Sequence, residues 1–435
     1  MRRSQLTALL PRGAVAMLTV ALGGTFAEAL VPFAEPRALN YLLVVAALAA
    51  LLLTRLYRKP ALQPVRGPIP VPAMTVLLAA SLGWLAASTL IQTGEPLRLV
   101  KLFLFLTVTL PCALLTARLL EPPELVVTLF SALFLAVAAS ALLAVLLPEI
   151  GAGYLAGRPV WTGIYGQKNS LGRQAAFLGV LATFILTMRT GLLLRIAAGI
   201  ALALAAVVIM EAYARTALGL LVVGCLLALL VAGMPRWAPA LAGMASIIAL
   251  VIIQHLSLYD LALIDRAPSG LILLGSPIDL TGRLPVWNFA WGLVRENPVM
   301  GSGFDAIWSH PGADAHYVLL GWKVTDAHNG YLDLVVQGGV VGASLFGLAF
   351  LIAVARAIRL VASPRPKTVL EALFSVAVML FALVNLTSSH ITEILSFPNF
   401  LFLVVCFAAD RVARRPQPGR THDPFQRHHS LPQPA

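Results

Sequence analysis

Three cationic side chains, Lys168, Arg173 and Arg215, and one histidine, His328, stand at the edges of long apolar runs, and a fourth cation, Arg283, stands in the polar stretch between two of them. Charged groups near a bilayer core are costly and face a cavity, a partner or a substrate when they occur there. Arg215 lies in Glu211-Ala212-Tyr213-Ala214-Arg215-Thr216, a tight turn between two apolar runs. Its guanidinium either binds phosphate or pairs with Glu211 at i, i+4. Arg283 lies in Thr281-Gly282-Arg283-Leu284-Pro285-Val286-Trp287, early in what reads as a short loop helix. It either holds a phosphate through two parallel hydrogen bonds or is a solvated loop arginine. Lys168 and Arg173 belong to Gly163-Ile164-Tyr165-Gly166-Gln167-Lys168-Asn169-Ser170-Leu171-Gly172-Arg173, which opens an apolar helix. They either complete a positive bowl suited to a diphosphate or simply extend to the membrane surface.

His328 falls in Asp326-Ala327-His328-Asn329-Gly330-Tyr331, where polar sequence runs straight into an apolar helix. The positive end of that helix disfavours the imidazolium, and a neutral imidazole can take a proton from a hydroxyl. Asp326 acts in the opposite sense by stabilising the charged form, and the plain alternative is a histidine capping the helix. Asp333, one turn deeper, orients His328, binds substrate or reaches back to the interface. Asn329 and Asn169 join Lys168, Arg173 and Asp333 as substrate-binding candidates; His328, Arg215 and Arg283 are the catalytic ones. The glycines of Asn297-Pro298-Val299-Met300-Gly301-Ser302-Gly303-Phe304 read as turn formers, since no GxGxxG or P-loop pattern accompanies them.

The elements that must position these groups are membrane helices. Of the 435 residues, 59% are hydrophobic and 11% charged, and mean hydropathy is +0.87. Apolar runs of about 20 residues, each long enough to cross a hydrocarbon core as a helix, recur along the chain. The expected fold is therefore all-α and polytopic. Twelve spans are predicted, at 13–33, 38–54, 71–92, 99–117, 124–147, 170–188, 192–210, 216–234, 238–256, 329–355, 369–388 and 398–412. With the N-terminus inside, the inner connections and tails carry 20 of the 31 basic residues, as the positive-inside rule requires. Both termini are then cytoplasmic, and the candidate site faces the periplasmic side.

A membrane domain thus covers 1–413, with one long extracytoplasmic loop at 257–328 that contains short helices, between the ninth and tenth spans. Residues 414–435, rich in Pro, Arg and His, read as a disordered cytoplasmic tail. The net charge of +12 is spread in short clusters between apolar runs, which suits a bilayer and argues against a nucleic-acid partner. Cys112, Cys225 and Cys406 stand singly in apolar segments as packing residues, and no spacing suggests a metal site. The basic N-terminus before an apolar run reads as a retained first helix rather than a cleaved signal.

At these residues the sequence resembles the bacterial O-antigen ligase and exopolysaccharide polymerase family, and its exopolysaccharide branch most of all. Four features carry the resemblance, in order: Gly166-Gln167-Lys168-Asn169, Ala214-Arg215-Thr216, Gly282-Arg283 with Trp287, and His328-Asn329-Gly330-Tyr331-Leu332 leading to Gln337-Gly338-Gly339. It implies a GT-C-like membrane glycosyltransferase acting on an undecaprenyl-diphosphate-linked glycan, without metal, nucleotide sugar or other cofactor. Arg215 and Arg283 would engage the diphosphate and His328 would activate a hydroxyl of an acceptor glycan or glycolipid. Other polysaccharide-assembly proteins are implied as partners. Ala214 and Gln337 depart from the family pattern, which favours serine and an acidic residue there. The reading from a different class is a glycan transporter or flippase, but no pair of matching broken helices in two halves supports it.

Overall fold

A computed structural model of the chain describes residues 3–30, 36–57, 73–93, 96–155, 157–188, 190–232, 272–273, 276–277, 283–305, 326–362, 368–393 and 396–413. The predicted ninth span, most of the 257–328 loop and the 414–435 tail lie outside the described residues. Within them the chain is a bundle of apolar helices. Six are long and apolar enough to cross a membrane, and five more apolar helices are shorter, at 10–17 residues. Eleven of the twelve predicted spans each coincide, at least in part, with one of these helices.

The first helix is placed differently from expectation. Instead of 13–33 it is α1 (Arg3–Ala21), and the chain then leaves the helix at Gly23-Gly24. A side chain at either glycine would collide with Tyr165 or Ser170. The backbone carbonyls there are used elsewhere: Gln174 Nε2 donates to Gly23 O at 3.0 Å, and Asn40 Nδ2 to Gly24 O at 2.8 Å. Continuing the helix would forfeit both contacts and the close approach.

After α2 (Pro36–Tyr57) and α3 (Ala73–Thr93), the fourth span is built from α4 (Pro96–Leu104) and α5 (Leu110–Leu119), joined by a π-helical turn at Phe105–Thr109. Pro111 follows at once; lacking an N–H, it cannot continue the regular ladder, and the turn widens just before it. Next come α6 (Pro122–Leu146) and the single turn α7 (Pro148–Gly151). An unforeseen two-stranded ribbon follows, in which Ala152–Leu155 pairs antiparallel with Arg158–Trp161. A second, shorter ribbon joins Ile272–Leu273 to Ser276–Pro277.

The centre of the bundle is α8 (Lys168–Thr187). Its most apolar stretch is 78% buried, against 28% for α9 (Leu192–Glu211), which turns Leu193 and Ile200 outward as a lipid-facing helix does. Small residues let α8 approach its neighbours. Gly172 abuts Ala214 and Ala217, and Gly179 abuts Leu221 of α10 (Arg215–Val231). In lipid such close packing, rather than water exclusion, joins helices. The bundle is completed by α11 (Arg283–Glu296), α12 (Gly330–Ala362), α13 (Val369–Val384) and α14 (Phe397–Ala413).

The long helix α12 is broken. Gly339 has φ 62° and ψ −169°, a conformation that only glycine adopts at little cost. The turn after α11 fills the break. Ser302 N donates to Val336 O at 2.8 Å, Gly303 N to Gln337 O at 3.0 Å, and Val340 N to Pro298 O at 2.8 Å. From α3, Trp84 Nε1 donates to Gly338 O at 2.8 Å and Ser88 Oγ to Met300 O at 2.7 Å. Irregular backbone at membrane depth requires this kind of satisfaction by protein partners. The half-helix Gly330–Gly338 therefore packs as one unit with α11, around Val286, Ala290, Leu293, Ala327, Leu332 and Val336.

Candidate active site

Each candidate side chain is mounted on a helix end. Gln167 caps α8, its Oε1 accepting from Ser170 N at 2.6 Å, and so sets Lys168 and Asn169 in the first turn. Arg173 follows one turn later on the same helix. Arg215 is the first residue of α10, after a turn in which Tyr213 takes the left-handed φ of 50°. Lys168 Nζ donates to Tyr213 O at 3.3 Å and lies within electrostatic reach of Arg215. Among the described residues no ion pair joins Glu211 to Arg215, so the helix-end pair that the spacing allowed does not form. The two cations instead crowd one corner, an arrangement that wants an anion.

Arg283 begins α11, as the reading of a short loop helix expected. Its side chain lies outside the described residues. Trp287, one turn on, donates from Nε1 to Ala327 O at 2.8 Å and packs beside Val286 and Ala290. That contact ties the helix of Arg283 to the backbone just before His328.

His328 is held at left-handed φ 50°, immediately before the helix rather than in its first turn. The cap belongs to Asn329, whose Oδ1 accepts from Tyr331 N at 3.1 Å and Leu332 N at 3.2 Å. Of the two readings of His328, capping is thus assigned to its neighbour, and Asn329 commits its oxygen to that task. Asp326 grips His328 twice, with Oδ1 accepting from the backbone N–H at 2.7 Å and lying 2.9 Å from ring Nδ1. Burial pushes the Asp326 carboxyl up, but the hydrogen bonds and charge of His328 outweigh it and leave the pKa at about 2. The contact orients the ring and gives it a preformed counter-ion. Asp333 is fully buried, and its Oδ2 accepts from Ala327 N at 3.0 Å. It thereby fixes the backbone that carries His328.

Arg173 joins the two halves. Its guanidinium lies within electrostatic reach of Asp326, and it lines a cavity of about 280 Å³ between α8, α10 and α13. Asn169, Thr216, Thr387 and Ser388 form the polar part of this cavity; Leu220, Val223, Leu383 and Leu386 form its apolar walls. Asn169 and Arg173 thus line the cavity, Lys168 and Arg215 adjoin its lining residues Asn169 and Thr216 in the chain, and Asp326 of the Asp326–His328 pair lies within electrostatic reach of Arg173. Among the described residues no group of three or more His, Cys, Asp and Glu side chains is placed to hold a metal ion.

Sequence reasoning missed a second polar corner, between α13 and α14. His390, 2% exposed, has Nδ1 2.6 Å from Glu393 Oε2. Asn385 Oδ1 accepts from His390 N at 2.8 Å, while its backbone oxygen accepts from Gly330 N at 2.9 Å. The signal was present: Ser388-Ser389-His390-Ile391-Thr392-Glu393 interrupts two apolar runs. Gln337 also finds its reason. Its Oε1 accepts from Asp305 N at 3.1 Å and its Nε2 donates to Thr392 Oγ1 at 3.2 Å, and a carboxylate could not donate.

Residues 200–347 match the family model described as O-antigen ligase. The match takes in Arg215, Arg283, His328 and Asp333, and stops short of Lys168, Arg173 and His390. No curated protein matches the chain.

Proposed function

We propose that this chain, a member of the O-antigen ligase family through residues 200–347, transfers a glycan from undecaprenyl diphosphate to an acceptor sugar hydroxyl, as a polymerase of a surface polysaccharide. Family membership makes it a membrane enzyme of surface-glycan assembly. The observation that carries the finer reading is the junction of charges and cavity. Arg173 lines an apolar-walled cavity, Lys168 and Arg215 stand next in the chain to its lining residues Asn169 and Thr216, and a histidine–carboxylate pair lies within electrostatic reach of Arg173.

A polyprenyl diphosphate has the matching parts. The diphosphate suits these cationic groups, with Arg283 as a further proposed contact, and the isoprenoid tail suits the groove of Leu220, Val223 and Leu383. Asn169 lines the same cavity as a contact for the donor. In the reaction the acceptor oxygen attacks the anomeric carbon from the face opposite the diphosphate. A glycosidic C–O bond forms, the bond from carbon to the phosphate oxygen breaks, and the configuration inverts. His328 takes the acceptor's proton, and Asp326 stabilises the resulting imidazolium. The guanidinium and ammonium groups receive the developing charge on the diphosphate, so the leaving group needs no metal ion. Asp333 and Asn329 act behind His328 by holding its backbone and the helix end. The site faces the periplasm across the cytoplasmic membrane, with both termini inside and other assembly proteins as partners.

The family's description favours one second reading, ligation of a finished glycan to a lipid acceptor. The chemistry at His328 is the same. The test is reconstitution with undecaprenyl-diphosphate glycans and either a second lipid-linked glycan or lipid A-core as acceptor. We expect polymer with the first and none with the second. His328→Ala should lower transfer by about 10²–10⁴-fold while donor binding persists. Full activity in that variant overturns the assignment of His328, and undiminished donor binding in Arg215→Ala overturns that of Arg215.

A further inference from the structure

The ribbon of Ala152–Leu155 and Arg158–Trp161 plays no part in the proposed reaction, yet its tip carries side chains unusual for a surface loop. Its base is set into the bundle: Val160 is buried, Trp161 packs against the main core, and Thr162 N donates to Gly151 O at 2.9 Å. Its tip is apolar and open. Tyr154, 82% exposed, stands opposite Pro159, and exposed Leu155 stands opposite exposed Arg158. A two-stranded ribbon is barely stable in water by itself, so a bare tyrosine and leucine at its tip call for a surface that covers them.

The neighbouring helices show which surface that is. The helix that leads into the ribbon, α6, has 25 residues and is about 37 Å long, more than a hydrocarbon core of roughly 30 Å. Its last turns expose Leu142, Val145 and Leu146, a lipid-facing stripe that runs up to the ribbon. α9 touches the second strand and turns Val207 and Met210 outward near its own end. The ribbon thus prolongs an apolar rim that faces lipid. It cannot sink deeper, because each of its two strands keeps an outer edge of N–H and C=O groups that hydrocarbon does not satisfy. Apolar tip side chains on a backbone that needs polar partners fit one layer, the headgroup region. Tyrosine rings gather there, and an arginine reaches lipid phosphate there.

We propose that this ribbon is an interfacial anchor, with Tyr154 and Leu155 seated among phospholipid headgroups at the end of the bundle that carries Lys168 and Arg215. The anchor also sets the depth of α8. The chain from Trp161 to that helix is clamped: Ile164 N donates to Ser140 Oγ at 3.2 Å, Ile164 O accepts from Ala27 N at 2.8 Å, and a side chain at Gly163 would collide with Ser140. The first turn of α8, with Lys168 and Asn169, is therefore held at headgroup level. This contact with lipid is the same whichever glycan the site takes.

The test attaches a fluorescent dye to the thiol of Tyr154→Cys in the full chain, in nanodiscs of phosphatidylethanolamine and phosphatidylglycerol. Cys112 and Cys406 are buried and Cys225 half-buried, and the signal of the wild-type chain treated in the same way is subtracted. Leu135→Cys, at an exposed position in the middle of α6, is the reference for hydrocarbon. The Tyr154→Cys dye should lose more fluorescence to a nitroxide on the headgroup than to one halfway down the acyl chain, and the Leu135→Cys dye should show the opposite order. Iodide in the buffer should quench the Tyr154→Cys dye less than it quenches free dye. Leu155→Cys should repeat the order seen with Tyr154→Cys. Iodide quenching equal to that of free dye, with neither nitroxide active, would put the ribbon in water and overturn the anchor. Protection from all three quenchers overturns it too, since protein then covers the tip. Stronger quenching from mid-chain than from the headgroup rules out the interfacial position as well.

Discussion

Two histidine–carboxylate pairs flank one arginine, and their surroundings differ. The side chains of His328 and Asp326 are 30% and 31% exposed, and the histidine sits on strained backbone at the end of a half-helix. His390 is 2% exposed and Glu393 46%, in a segment stitched to Asn385 by two backbone amides. The same chemical pair is thus presented to incoming groups in one corner and enclosed in the other. An exposed imidazole with a preformed counter-ion can exchange protons with a substrate. A buried neutral one can only hold a hydrogen bond. The contrast sets an accessible pair, the one proposed to carry the proton transfer, against an enclosed one.

The largest expected effect that separates the corners is on turnover. Asp326→Asn removes the charge that faces His328 Nδ1, and hydrogen bonds to charged groups contribute about 1.5–3 kcal/mol. We expect kcat to fall about 10- to 100-fold with little change in donor affinity. Glu393→Gln, at the enclosed pair, should leave kcat near the wild-type value. If both variants lower kcat equally, the two corners do not have separate tasks.

A smaller effect tests how the reacting corner is held. Trp287→Phe deletes the hydrogen bond from Nε1 to Ala327 O and keeps most of the packing around Val286 and Ala290. A loss of about 1 kcal/mol in positioning corresponds to a several-fold lower kcat. Binding of bare undecaprenyl diphosphate should not respond. A change confined to that binding would mean that Trp287 serves the donor site rather than His328.

Much of this was legible in the sequence, for identifiable reasons. Helix-length apolar runs have few alternatives in a bilayer, so among the described residues helices appear where hydropathy placed the spans from the second onward, the ninth lying outside them. The exception, α1, ends early because Gly23 and Gly24 pack against Tyr165 and Ser170, a contact made across more than 140 residues. Lys168, Arg173, Arg215 and His328 stood out because charge beside apolar sequence demands a reason. The break at Gly339 did not, since a glycine pair in an apolar helix is more often a packing surface. What makes it a break is the turn at Pro298–Gly303, which donates and accepts the missing hydrogen bonds. His390 was overlooked because its meaning is entirely tertiary: its carboxylate is three residues away, but the arginine it faces is on α8.

The smallest expected effect is on stability, and it singles out the enclosed corner. His390 is neutral in the fold because of burial and Arg173 from α8, opposed by Glu393 on its own segment and by Asp326 ahead of α12. Its folded pKa lies below the unfolded value of about 6.5, so the unfolded chain binds more protons as pH falls past that value. The stabilisation is complete above about pH 6.5 and is lost as pH drops through the folded pKa. Asp326, at about 2, stays ionised across that range and adds no slope of its own. Thermal unfolding of the chain in detergent should therefore shift to lower temperature between about pH 6.5 and 5, and His390→Gln should flatten this part of the profile. A profile in the Gln variant as steep as in the wild type would place the titration elsewhere. Burial of the ring would then carry no net proton linkage, and the environment of His390 would leave its titration as in the unfolded chain.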